Sequence, residues 1–496
     1  PEPGLQGQVP RAVQGEESRK GFWCGMREVG RSDIGNRGGN YGHAWIGDCA
    51  YVTTFQPRPM SEEPPAGLAV IDVADPTQPQ LVRTYQTAGS LQAVETITAR
   101  EAGDRKVLVT GAYDGNVIDI WDASDCRNPR LMKSLEVPYN VHNVTLSWDA
   151  KTLYYATALP TSEANQPMPN VVAVDVADLA NPKVIHHFAL SDLVLQGQAP
   201  APLGVHNVEI SPDGTRMYAG IITPGLLAPL LTDYTRGRGE MTILDVSDIQ
   251  DRKADPEVRF ISQFESSWHG PKLFERDGRT YLVSGDEAVN NSEPLTSCGG
   301  PFPRIADITD ETAPRPIADV PLEINKAEHC PAALEDNLLY STHYTDVDDQ
   351  RNATLGLFPM YNAGLRVVDL RDPAKPTEIG YFNPGPDLDT KFGATYGTRT
   401  RDAIDLTPSH VRYKADTGHI WFVSITSGFH VVELTQTGRP GDLGLPARAT
   451  QANRRSARTA TPSPASASPR LTVPTPFNFQ PPALVCGLPG VPQGSS

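Results

Sequence analysis

Long apolar runs, closely spaced cysteines and the signatures of common enzymes are all scarce in this chain of 496 residues. No stretch reaches the ~20 consecutive apolar residues that a membrane-crossing helix needs, so no such helix is expected. Six cysteines (Cys24, Cys49, Cys126, Cys298, Cys330 and Cys486) form no C-x-x-C pair, which argues against a zinc finger or a thioredoxin-type site. Their even number permits disulfides, and a buried thiol or a bond to Cys298 suits Cys330 better than a role as thiolate ligand. A serine-nucleophile elbow, a Walker loop, a dinucleotide fingerprint and H-E-x-x-H are all absent. Positive charge is also short, with 43 Lys and Arg against 59 Asp and Glu and a net charge of −16. Such a surface repels polyanions, so neither nucleic acid nor an anionic membrane is expected as partner.

What the chain does contain is a repeat. A β-rich run ending in D-x-x-D recurs in GLAVIDVADP (Asp72, Asp75), VIDIWDASD (Asp122, Asp125), VVAVDVAD (Asp175, Asp178), MTILDVSD (Asp245, Asp248), PRIADITD (Asp307, Asp310) and GLRVVDLRDP (Asp369, Asp372). A seventh, degenerate copy, HVVELTQ, has Glu433 and Gln436 in place of the aspartates. Each run leads through a turn into a further strand and follows two others, as in VHNVTLSWDAKTLYYAT, which makes four strands per unit. Four-stranded units at this spacing predict an all-β, seven-bladed β-propeller of antiparallel blades, since one such sheet buries both faces only when neighbours stack on it. The aspartates are expected to cap tight turns by accepting backbone N–H bonds.

The propeller is expected over residues 22–436, after an N-terminal extension at 1–21. The seventh unit lacks a fourth strand of its own, and GFWCGMREVG near the N-terminus is expected to supply it and close the ring. A Pro-, Ala- and Ser-rich C-terminal extension follows, comprising a linker-like segment (437–474) and a segment at 475–496 with enough apolar residues to dock on the propeller. Long insertions before the third strands of blades four to six, at about 221–240, 286–301 and 344–362, are expected to form loops over one face.

The repeated unit GLAVIDVADPTQPQLVRTY resembles the LVIVD-repeat family of bacterial propellers. That resemblance implies a secreted, periplasmic or cell-surface protein and no particular activity. In the layout of its histidines, rather than in aligned motifs, the chain is also similar to the selenium-binding protein and methanethiol oxidase family, which are copper-dependent propellers.

Aligning the first strand of each unit puts His43, His142, His206, His269, His329 and His410 at one position, with Glu95 there in the second blade. Six of the eleven histidines thus share a register. First strands of a propeller line its axis, so these positions predict a ring of imidazoles with one carboxylate. Imidazole nitrogens suit copper, iron and zinc. The expected cofactor is a transition metal, copper first and then iron or zinc, with Glu95 as catalytic proton acceptor or further ligand. His343 and His430 lie near later strands within reach of the same mouth. A histidine repeated in every blade also packs and hydrogen-bonds between neighbours, which is the competing structural reading.

Three functions follow. One is a secreted metal-dependent enzyme, an oxidase for example, acting on a small-molecule substrate. Another is a non-catalytic extracellular module that binds a protein or polysaccharide. The third is a calcium-dependent hydrolase using Glu95, Asn143 and Asn207 as oxygen ligands.

Overall fold

All but one of the repeated aspartates close their own turns. Asp72 accepts the backbone N–H of Ala74 at 3.0 Å and Asp75 that of Thr77 at 3.0 Å. The same bond, two residues ahead, recurs at Asp122, Asp125, Asp175, Asp178, Asp307, Asp310, Asp369 and Asp372. Asp248 departs from the pattern because a one-turn helix, α1 (Ser247–Gln250), replaces the turn, and its carboxylate pairs instead with Lys253 and Arg259.

The structure is a computed structural model that describes residues 2–15, 17–55, 65–157, 169–190, 193, 204–222, 239–267, 269–287, 302–387, 389–390 and 405–435. Two N-terminal strands come first, β1 (Phe22–Cys24) and β2 (Met26–Ser32). Blade 1 is β3 (Asn40–Ile46), β4 (Cys49–Thr54), β5 (Leu68–Asp72) and β6 (Gln80–Tyr85); blade 2 is β7 (Ile97–Ala102), β8 (Arg105–Gly111), β9 (Gly115–Asp122) and β10 (Arg130–Val141). Blade 3 holds β11 (Asn143–Leu146), β12 (Thr152–Ala156), β13 (Val171–Asp175) and β14 (Lys183–Phe188); blade 4 holds β15 (Gly204–Ile210), β16 (Arg216–Ile222), β17 (Gly239–Asp245) and β18 (Arg259–Ser266). Blade 5 is β19 (His269–Arg276), β20 (Arg279–Gly285), β21 (Arg304–Asp307) and β22 (Arg315–Asp319). Blade 6 is β23 (Asp346–Val347), β24 (Leu355–Pro359), β25 (Leu365–Asp369) and β26 (Thr377–Asn383), and blade 7 is β27 (Arg412–Lys414), β28 (His419–Ser424) and β29 (Gly428–Leu434).

The seven-bladed propeller is therefore as expected. The first strands of neighbouring blades contact one another around the axis. Strands in the middle of a blade read as continuous apolar runs because blades cover them on both sides: β4 and β28 are buried almost throughout, whereas the outer β6 is mostly exposed. Val52, Ile71, Val423 and Phe429 share one such core between blades 7 and 1. Each fully buried side chain of this kind contributes about 1.5–3 kcal/mol.

The N-terminal segment closes the ring as expected: β2 pairs antiparallel with β29, from Met26 opposite Leu434 to Ser32 opposite Phe429. This closure explains the degenerate seventh copy. No turn to a following strand is needed there, so Glu433 is released from turn capping and pairs with Arg27 on β2. The segment does more than the sequence reading anticipated, because β1 adds a fifth strand to blade 6 by pairing with β26. Gly25 makes the step between the two blades. Its φ is 66°, and a Cβ there would lie 2.6 Å from the carbonyl oxygen of Ile379, so only glycine fits.

Residues before β1 also dock. The Gln8 amide donates to Asp336 at 2.9 Å, the backbone N–H of Val9 donates to the Tyr340 hydroxyl at 3.0 Å, and Glu2 pairs with buried Arg366. A disulfide joins Cys49 of blade 1 to Cys126 in the turn after β9 of blade 2, and Cys24 and Cys330 are disulfide-bonded as well. The segments expected as a linker (437–474) and a docked C-terminus (475–496), Cys298, and most of the insertions at 221–240 and 286–301 lie outside the described residues.

Blade 6 corrects the alignment. Residues 344–362, expected as an insertion, contain its first two strands. His329, expected on its first strand, instead ends a 3-10 turn (Ala327–His329) that runs into a helix, α2 (Cys330–Asp336). Pro331 has no N–H to give a central strand but suits the first turn of a helix. Good helix formers follow it, and Asn337 ends the helix in the left-handed conformation at φ 53°.

Candidate metal centre on the propeller axis

The position expected for His329 is taken by His343, just ahead of β23. His329 itself is partly exposed and lies 3.8 Å from Glu323. His142 sits immediately before β11, Glu95 lies two residues before β7, His206 lies within β15, and His269 opens β19.

Four imidazoles from consecutive blades follow one another in a row. Ring centroids are 4.4 Å apart for His142 and His206, 3.9 Å for His206 and His269, and 4.3 Å for His269 and His343. Two buried carboxylates run along them. Glu95 places one oxygen 3.6 Å from His142 Nε2 and 3.5 Å from His206 Nε2, and the other 2.9 Å from His343 Nε2. Glu287, two residues beyond the end of blade 5's second strand, lies 3.7 Å from His269 Nε2 and 3.5 Å from His343 Nε2. Two overlapping sets result, Glu95–His206–His269 and His269–Glu287–His343, each with its donor atoms within 4.8 Å of one another.

Surrounding groups orient these side chains. His142 Nδ1 lies 3.0 Å from Asp114, which turns Nε2 toward Glu95, and His343 Nδ1 meets the carbonyl of Pro408. The Asn143 amide donates to the Tyr344 hydroxyl at 2.7 Å, which donates to Glu95 at 3.1 Å, while Tyr361 donates to Glu287. Carboxylate and carbonyl partners of this kind fix tautomer and ring orientation around metal sites. Gly270 makes room for Tyr344: a Cβ at this position, φ 54°, would fall 2.9 Å from the Tyr344 Cα.

The electrostatics divide the histidines. Burial, reinforced by neighbouring imidazoles, holds the pKa of His206 and His269 well below the ordinary value, so both are neutral donors. Burial opposes the charge on His343 too, but Glu287 and Glu95 outweigh it and raise its pKa. For Glu95 burial disfavours ionisation, yet the charge of His343 and its hydrogen bond hold the carboxyl below the usual carboxylate range. Two buried carboxylates thus face His343 and favour its protonated form.

His142, His206, His269 and Glu95 are brought together as the sequence reading anticipated. His43 and His410 are not part of the row. They lie on the wall of an adjoining axial cavity of about 130 Å³, where His43 Nδ1 bonds the His410 carbonyl at 2.8 Å. His430 faces Ser427 and Glu28 in blade 7. Glu287 was missed, and no repeat marks it, because it belongs to a single blade.

The LVIVD repeat model matches residues 65–87, the third and fourth strands of blade 1. No curated protein matches the chain in sequence. Among solved structures, the chain is similar to Kuenenia stuttgartiensis hydrazine synthase at 12% identity and a TM-score of 0.43, over 80% of this chain and 95% of that one. It is similar to the Pseudomonas aeruginosa periplasmic gluconolactonase PpgL at 13% identity and a TM-score of 0.38, over 56% of this chain and 68% of that one. A third is the β-propeller domain of Myceliophteria thermophila Cps50 (Swd1), at 11% identity and a TM-score of 0.48, over 83% and 99% of the two chains.

Proposed function

We propose that this propeller binds a transition metal on its axis and uses it in an enzymatic reaction on a small molecule. The observation that carries this reading is the pair of overlapping, buried donor sets around His269. His206 and His269 supply neutral nitrogen, His142 Nε2 adjoins them, and Glu95 and Glu287 supply anionic oxygen. This mixed set suits copper, iron or zinc. Calcium prefers six to eight oxygens, so the donor set disfavours the calcium-dependent hydrolase. Copper or iron here would make the protein an oxidoreductase. The disulfides support a location outside the cytoplasm, where such bonds persist.

Metal analysis of protein purified without chelating resin tests the reading. A stoichiometric transition metal, lost in a folded His206→Gln/His269→Gln variant, is the expected result. Protein that stays metal-free after incubation with copper, iron and zinc would instead make the cluster a structural ion-pair network and favour the non-catalytic module.

A further inference from the structure

The axial cavity has unused binding capacity of its own. At about 130 Å³ it has room for about four waters, taking ~30 Å³ for each, or for one molecule of similar size. His43, Arg100, Asn143, Asn207, Lys272 and His410 are on its wall.

Two of these side chains carry unsatisfied polar atoms. His43 is 1% exposed, and its Nδ1 bond to the His410 carbonyl puts the proton on Nδ1 and leaves Nε2 as an acceptor with no hydrogen-bond partner. Burial pushes its pKa down to about 4, which keeps the ring neutral. Arg100 packs over Trp148 at 4.8 Å and makes one long bond, from Nη2 to the Leu146 carbonyl at 3.4 Å. Its Nε is buried without a hydrogen-bond partner, and Glu209 on the same wall acts on its charge only through space, without an ion-pair contact.

The acidic groups on the wall are already engaged. Asp346 accepts from His410 at 3.1 Å and from the backbone of Val411 at 2.8 Å, with Lys272 at 3.6 Å. Glu209 accepts from Gln350 at 2.7 Å and lies 3.9 Å from Lys272. The spare capacity is therefore one cationic fork of donors and one neutral acceptor. Unmatched buried groups of this kind are costly, and a ligand that matches them recovers the cost.

We propose that the axial cavity binds a small hydroxycarboxylate, its carboxylate on the Arg100 guanidinium and its hydroxyl donating to His43 Nε2. Guanidinium and carboxylate match in geometry as well as charge. The site is independent of any metal at the neighbouring cluster.

Titration calorimetry of the full chain with glycolate, acetate and ethylene glycol tests this. Glycolate is expected to bind most tightly, acetate roughly tenfold more weakly for want of the hydroxyl contact, and ethylene glycol not at all in the same range. Arg100→Gln should abolish binding of both acids and Arg100→Lys should retain part of it. His43→Phe should reduce glycolate to the level of acetate while leaving acetate unchanged. A folded His206→Gln/His269→Gln variant should still bind glycolate, whether or not it has lost a metal. Equal glycolate binding by Arg100→Gln, ethylene glycol binding as tight as glycolate, loss of binding in the cluster variant, or no binding of any of the three would overturn the assignment.

Discussion

The rim turns and the axis both descend from one repeat, yet they use repetition in opposite ways. At the rim nearly every aspartate caps its own turn, Asp122 by the backbone and hydroxyl of Ser124 for example, so the copies remain alike. At the axis the copies meet. Four imidazoles fall within contact of one another, and identical groups there would repel or compete. The blades accordingly diverge: Glu95 replaces a histidine in blade 2, Glu287 is added from blade 5, and His43 and His410 turn to the cavity wall. A repeated residue at the rim reports on folding, whereas a repeated residue at the axis reports on what the ring encloses.

Substitutions at the two regions should therefore differ sharply. The largest effect is expected at the axis, where His206→Gln/His269→Gln should lower bound metal more than tenfold, as ligand loss does in such sites, while Asp122→Ala leaves it unchanged; elemental analysis reads both. If the two variants lost metal equally, the contrast would collapse. Next comes Glu95→Gln in metal-free protein. It leaves the buried His343 with Glu287 alone and should destabilise by about 3–5 kcal/mol, measured by denaturant unfolding.

A third test uses pH. The pKa of His43 falls from 6.5 unfolded to about 4 folded, so the unfolded chain takes up the proton first as pH drops. The neutral ring's contribution is complete above pH 6.5 and is lost between pH 6.5 and 4. Up to about 3 kcal/mol is expected over that window, and His43→Phe should flatten the slope of unfolding free energy against pH by that amount. No change of slope would show that the ring is not held neutral by burial. The smallest effect belongs to the rim: Asp122→Ala should cost under about 1 kcal/mol, since its turn bonds are half-exposed and water replaces them. A larger loss would mean that the rim turns act together.

Much of this was legible in the residues. The strand count followed from the aspartate copies, and the ring closure followed from the missing fourth strand after HVVELTQ. His142 and His206 were recognisable because VHNV occurs in both blades, and His269 and Glu95 because alignment carried the register to them. The failure at His329 was one of local reading. KAEHCPAALED has a histidine where the spacing wanted one, but Pro331 and the helix formers after it outweigh spacing, and STHYTDV further on holds the inner strand. Glu287 had no comparable signal. The docking of residues 2–15 and the fifth strand of blade 6 depend on surfaces that exist only once the blades are stacked.

The period of the repeat, the alternation of its strands and the turn chemistry of its aspartates were enough to specify seven blades and a common axial register, because these depend on short-range backbone geometry. Which axial residues touch was decided only when the ring closed. Convergence depends on where side chains point across blades far apart in sequence, and it was folding that put Glu95 beside His343 and left His43 and Arg100 facing a cavity.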